Sequence, residues 1–191
     1  MTLRPAVAAD LTDLMEIDGT IESTQYAHVD LAAGDDAAGT PGATWTLGWR
    51  PTREKLILPS PLDDDTAFLL RQILTGADDG VALTAEHDGT AVALLLAQPD
   101  LARGVMSVLD VRVDYDVRRQ GIATVMLFQL IERAKEADLR AAYITTRTNN
   151  APAARLLEKL GWELSGIDTK RYDNHDLVKE AATLMWYYEI R

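Results

Sequence analysis

The chain contains no cysteine. A disulfide scaffold, a thiolate zinc site and a cysteine nucleophile are thereby excluded. Histidine is scarce, and His28, His87 and His175 stand too far apart for metal-ligand spacing, so no metal site is expected. Basic charge is also in short supply. Lys plus Arg number 19 against 30 Asp plus Glu, a net −11. That balance argues against nucleic acid and against an anionic membrane surface, and it suits a cationic small partner. The longest apolar run, Ala91–Ala97, is far too short to span a bilayer, and Met1–Asp10 lacks an apolar stretch after a basic segment. A cytoplasmic protein, monomer or homodimer, is the expectation.

What remains is an ordinary globular composition, 47% apolar and 26% charged over 191 residues. One domain is expected over 1–191. Thr2–Val7 reads as a strand, and Asp10 opens a helix with Leu11, Leu14 and Met15 on one face. Ile21–Gly42 has no clear period, and its Ala-, Gly- and Asp-rich part, Ala32–Gly42, reads as a mobile loop. Thr44–Trp49 alternates as a strand that stops before Pro51, with a second short strand at Leu56–Leu58. If Trp45 and Trp49 lie on a strand they share a face. Asp63, Asp64 and Asp65 precede an apolar helical pattern, where acidic residues suit the dipole.

Val81–His87, Asp88-Gly89 and Thr90–Ala97 read as a β-hairpin. Val105–Val113 is a further strand. Gly121–Ala137 has helical periodicity through Ala123, Met126, Leu127, Leu130 and Ala134. Ala141–Thr146 is a strand and Ala151–Leu160 a helix, capped by Asn149 or Asn150, with Pro152 in its first turn and Gly161 after its end. Trp162–Ile167 and Thr183–Glu189 finish as strands. This order implies a mixed α/β (α+β) sheet flanked by helices.

The chemistry concentrates between Val105 and Ala137. A strand ends at Val113, and Arg118-Arg119-Gln120-Gly121-Ile122-Ala123-Thr124 leads directly into a helix. Backbone N–H groups at a helix start have no intrahelical partner, and the dipole adds positive potential, so such a turn is an anion cradle. Gly121 has no Cβ to hold a phosphate away. The segment lacks the Gly-Lys-Ser/Thr ending of a P-loop.

Arg118-x-x-Gly121-x-Ala123 after a strand resembles the diphosphate-binding motif of the GNAT acetyltransferases. Asn149 through Ala153, followed by Glu158-Lys159-Leu160-Gly161-Trp162, resembles that family's second motif. Gly166-Ile167-Asp168-Thr169 with Tyr172, and Leu184–Tyr188, are similar to streptothricin and nourseothricin acetyltransferases. The resemblance implies the GNAT fold, with a mixed, mostly antiparallel sheet, residues 1–60 on the acceptor side and 80–191 as the coenzyme-binding core. It implies acetyl-CoA as cosubstrate and an N-acetyltransferase acting on a primary amine of a small cationic molecule by direct attack. The alternatives are a protein or peptide amine as acceptor, or acyl-CoA binding without catalysis.

The resemblance also implies roles by position. The backbone of Val111, Arg112 and Val113 contacts the pantetheine and thioester. Arg118, Arg119, Gln120, Gly121, Ile122, Ala123 and Thr124 hold the diphosphate, and Asn150 and Ala153 line the coenzyme channel, although Asn150 also reads as a plain helix cap. An alkyl ammonium of pKa about 10.4 is neutral to only about one part in a thousand at pH ~7.4, so a base is needed. Asp110 matches an acidic position of the family. Its alternative is an ion pair with Arg112, two residues along one strand face. The usual general acid of the family, a Tyr, is Leu157 here. Tyr172, Tyr187, Tyr188 and water are the candidate substitutes, and a thiol of pKa about 8.5 leaves tolerably without an acid.

Overall fold

The computed structural model describes residues 1–35 and 41–190. Its framework is a seven-stranded sheet in the order β1-β4-β5-β6-β7-β9-β8. The strands are β1 (Thr2–Pro5), β4 (Val81–His87), β5 (Thr90–Asp100), β6 (Val105–Val113), β7 (Ala141–Arg147), β8 (Glu163–Asp168) and β9 (Thr183–Glu189). Every neighbouring pair is antiparallel except β6 and β7. The β4–β5 hairpin turns through Asp88 and Gly89, both at positive φ (51° and 85°), as an Asp-Gly turn between right-twisted strands requires.

Among the described residues, four α-helices flank the sheet: α1 (Leu11–Glu16), α2 (Asp64–Thr75), α3 (Ile122–Glu136) and α4 (Ala151–Lys159). The first two cover one face, where Leu14 and Leu70 pack on Leu94 and Leu96. The last two cover the other, where Met126, Leu127, Leu130 and Leu157 pack on Leu95, Met106, Ala142, Leu184 and Trp186. Each fully buried leucine stabilises by about 2 kcal/mol, so these two layers fix the sheet from both sides. The Asp63 carboxylate caps α2 by accepting from Thr66 N at 2.9 Å, and Asp64 and Asp65 occupy its first turn. Gly161, at φ 82°, follows α4 as expected.

The N-terminal third differs from the sequence reading. β2 (Ile21–Asp35) and β3 (Pro41–Leu58) form one long two-stranded arm. Residues 32–35 and 41–42, read above as loop, are paired strand. The rest of that expected loop, 36–40, lies outside the described residues. Pro51 does not end a strand. It pairs with Gln25 at a register shift, so that 52–55 bulge opposite Thr24, and a bulge in a two-stranded edge is where a residue without an N–H is tolerated. The arm lies across α4. Ala27 and Val29 are buried, Ala27 N donates to Thr148 O at 2.8 Å, and Arg155 stacks on Trp49 at 4.3 Å. Trp49 packs against the core whereas Trp45 is exposed, although both lie on the same strand face.

Candidate active site

The register of β6 sets the geometry. Leu96 of β5 pairs with Asp110, but the next residue, Ala97, pairs with Val108. Leu109 is the extra residue of a β-bulge, and its side chain is exposed. On its other side β6 is joined to β7 only at Val105–Ser107, opposite Ala141–Tyr143. Beyond Ser107 the two parallel strands have no ladder between them. A bulge bends and twists its strand, which accounts for the divergence. The result is a cleft between Val108–Val113 and Ile144–Arg147 that opens at the start of α3 and α4.

The turn into α3 borders this cleft. Arg119 (φ 66°) and Gly121 (φ 82°) both adopt the left-handed region. Gly121 is the N-cap and offers no side chain, and the first turn of α3 has no acidic residue. The first backbone bond into the helix is Val125 N to Gly121 O, 3.1 Å. Among the described residues, no backbone N–H from Arg119 to Thr124 has a partner within the chain. Helix α2 shows the contrast, since its start is closed by its own aspartates. A Cβ built on Gly121 would meet nothing within 4 Å, so the space beside this N-cap is open. Such a concavity of amides at a helix start binds anions. At α4, Asn150 caps the helix by accepting from Ala153 N at 3.3 Å.

Asp110 and Arg112 project on the face that carries α1 and α2, and they pair with each other. Arg112 Nε donates to Oδ1 at 2.9 Å and Nη2 to Oδ2 at 2.5 Å, and the Arg112 side chain is only 5% exposed. Arg112 Nη1 also donates to Ser60 O at 3.3 Å. Both carboxylate oxygens of Asp110 are therefore engaged, the arrangement weighed above against a role as base.

Arg118 has a destination that sequence reasoning missed. Its guanidinium donates to three carbonyls: Val113 O at 2.9 Å, Thr20 O at 2.6 Å and Asp18 O at 2.5 Å. The two latter partners lie about a hundred residues away along the chain, so no local pattern marks them. Arg119 is exposed beside the cradle.

The tyrosines are separated. Tyr172 is exposed and lies under the Arg147 guanidinium at 4.4 Å, at the β7 lip of the cleft. Tyr187 packs on Tyr143 at 4.9 Å and accepts a hydrogen bond from Arg103 at 3.3 Å. It pairs through Tyr143 with the level of Ser107, where β6 and β7 are still joined. Leu157 is buried in the core. No group of three or more metal-ligating side chains occurs among the described residues, and no helix among them is long and apolar enough to cross a membrane.

A bulged central strand, a cleft between two parallel strands and an open amide cradle together define a class of folds, and residues 46–162 match the acetyltransferase (GNAT) family. The chain belongs to that family. Streptothricin acetyltransferase A of Bacillus subtilis (strain 168) is 30% identical over 86 residues, covering 45% of this chain and 49% of that protein. Streptothricin acetyltransferase of Escherichia coli is 33% identical over 86 residues, covering 43% and 47%. The matched region thus spans about half the length of these curated relatives. Among solved structures, nourseothricin acetyltransferase is similar with a TM-score of 0.75 at 19% identity, covering 100% of this chain and 98% of that one. A Bacillus anthracis protein described as a streptothricin acetyltransferase, in complex with acetyl coenzyme A, gives 0.75 at 16% identity, covering 100% and 97%. At these identities the structural likeness establishes the fold, a mixed and mostly antiparallel sheet flanked by helices.

Proposed function

We propose that this chain moves an acetyl group from acetyl-CoA to a primary amine of a small cationic molecule of the streptothricin or polyamine kind. The observation that carries the reading is the row of six unpartnered N–H groups from Arg119 to Thr124, beside a cleft that ends on the bulged strand. The amides of Arg119, Gln120, Gly121, Ile122, Ala123 and Thr124 receive the diphosphate, and Arg119 adds charge from the rim. Acetyl-CoA supplies an activated thioester. The β6 backbone at Val111, Arg112 and Val113 lines the cleft for its pantetheine arm and polarises the carbonyl where charge develops. Asn150 holds the start of α4 in register, and Asn150 and Ala153 border the same channel.

Residues 80–191 form the coenzyme-binding core on this reading, and residues 1–60, with the β2–β3 arm, flank the acceptor. Asp110 is a carboxylate on the acceptor face next to the bulge. With both oxygens on Arg112, it acts by fixing the β6 end and by its charge, and the amine attacks from its small neutral fraction, its proton having passed to bulk water beforehand. Neither tyrosine is required as an acid. Tyr172 forms the β7 lip and Tyr187 the floor below the cleft. The small cationic acceptor is supported by the net charge of −11 and by similarity to streptothricin acetyltransferases.

The test has two parts. Calorimetry with CoA and acetyl-CoA measures the cradle. Release of free thiol from acetyl-CoA, followed with a chromogenic reagent, measures turnover on streptothricin, spermidine and a peptide with a free N-terminus. Heat with CoA and turnover on a small amine are expected. Absence of heat with either coenzyme form overturns the reading, and turnover confined to the peptide overturns the acceptor class.

A further inference from the structure

The β2–β3 arm leaves the body at two roots, one held by Arg112 of β6 and the other by Arg118 in the turn that follows it. The first root, Asp18–Thr20, is gripped by Arg118 through the Asp18 and Thr20 carbonyls. The second, Ser60, accepts from Arg112. Gly19 lies between them at close approach, since a Cβ there would stand 2.4 Å from Ser60 O and 3.2 Å from Arg112 Nη1. Arg118 also holds Val113 O, the last residue of the bulged strand, and its own chain continues directly into the cradle. One guanidinium thus joins three parts of the site: the arm root, the strand lining the cleft, and the diphosphate turn. Charge-assisted bonds from a planar guanidinium to three carbonyls fix orientation in a way that a lone ammonium does not.

We infer that Arg118 is a positioning residue that couples coenzyme binding to the acceptor side. It does so by tying the root of the β2–β3 arm to the cradle, rather than by contacting phosphate itself. The inference rests on the cradle holding the diphosphate. With its N–H groups directed at carbonyls of Val113, Thr20 and Asp18, the Arg118 side chain supplies geometry, and the free donors that follow it supply the anion contact. Opening the arm root then requires the turn at Arg118 to open as well. A ligand that binds only the closed turn slows that opening by mass action, up to about a hundredfold at a concentration about 100 times its Kd.

Hydrogen exchange reads this directly, with CoA as the probe and no acceptor needed. In the wild-type chain, saturating CoA is expected to slow exchange of the Ile21–Ser23 amides by about tenfold or more. In Arg118→Gln, calorimetry is expected to give a CoA Kd within about threefold of wild type, because the amide donors remain. The CoA-dependent slowing at the root is expected to fall below about twofold in that variant. Arg118→Lys, which restores the charge and reaches fewer carbonyls, is expected to give an intermediate slowing, and it serves alone if the Gln variant fails to fold. Slowing retained in full in the variants overturns the inference. So does loss of CoA affinity with root exchange unchanged, which would make Arg118 a phosphate ligand. Failure of wild-type CoA binding is a different result, and it removes the cradle rather than the coupling.

Discussion

Gly121 carries two separate demands. Its φ of 82° lies where an L side chain is strained, and the space its Cβ would enter is open, at the start of a helix whose first amides are free. An alanine there meets no neighbour within 4 Å, so the folding cost of Gly121→Ala is the backbone term, about 1 kcal/mol, or a fall of roughly 2–4 °C in Tm. The methyl group intrudes where phosphate oxygens would sit, and CoA affinity is expected to drop by about tenfold. Gly121→Glu adds negative charge to the cradle and is expected to abolish CoA binding in calorimetry. Unchanged affinity in the glutamate variant would place the diphosphate elsewhere. The Asp110–Arg112 pair separates anchor from base in the same way. Arg112→Leu leaves an unpaired carboxylate under the arm root and is expected to cost about 3 kcal/mol in denaturant unfolding. The double variant Asp110→Leu/Arg112→Leu is expected to recover more than half of that loss, because no charge is left uncompensated. A double variant no more stable than the single one would contradict the anchoring role.

At the scale of elements, the loop from Thr169 to Ala182 between β8 and β9 presents Tyr172 to the cleft, and two carboxylates tie it: the buried Asp176, which accepts from Tyr172 N at 2.9 Å, and the more exposed Asp173. Asp173 accepts from Lys179 Nζ at 2.7 Å and from His175 N at 2.8 Å. The lysine first, then the backbone donor, holds its pKa down at about 2, below the usual 3.8. A depressed carboxylate pKa stabilises the folded loop fully above the unfolded value and ceases to do so as pH falls through the folded one. Exchange of the loop amides in 173–180 is therefore expected to accelerate relative to the sheet between pH 3.8 and about 2, with Asp173→Asn showing that state already at neutral pH. An unchanged pH profile in Asp173→Asn would show that the loop is held by other contacts.

Elements of this kind were unevenly legible in the sequence. Helix α3, the β4–β5 hairpin and the capped α4 announce themselves through local signals: helical spacing, an Asp-Gly turn, and an Asn with a Pro two residues on. The β2–β3 arm did not, because its alternation is diluted by Gly, Ala and Asp and broken at Pro51, and it is built as a ribbon whose partner is itself. Of the candidate site, the turn into α3 with Gly121 as its N-cap was legible because it is contiguous. The Leu109 bulge was not, because it is a property of pairing between strands. The Arg118 strut was not either, because its partners are carbonyls, which carry no sequence signature.

The whole molecule bears a net charge of −11, yet the two substrates proposed for it have opposite signs. At an ionic strength of about 0.01 M the screening length is roughly 30 Å, so an approaching ligand feels most of the chain, whereas at about 0.15 M it shrinks to ~8 Å and only local groups count. Acetyl-CoA, a polyanion, approaches against the overall field and is held at the end by amide dipoles at close contact, which salt screens little. A cationic acceptor is drawn by the same field. Raising salt across that range is therefore expected to lower the KM for acetyl-CoA and raise the KM for a cationic amine, each by about threefold, through the association rates. A neutral amine serves as the control and should shift little. Should both KM values rise together, local ion pairing between Arg119 and phosphate would outweigh the field of the chain. Should the cationic amine be indifferent to salt, the acidic surface would have no part in choosing the acceptor.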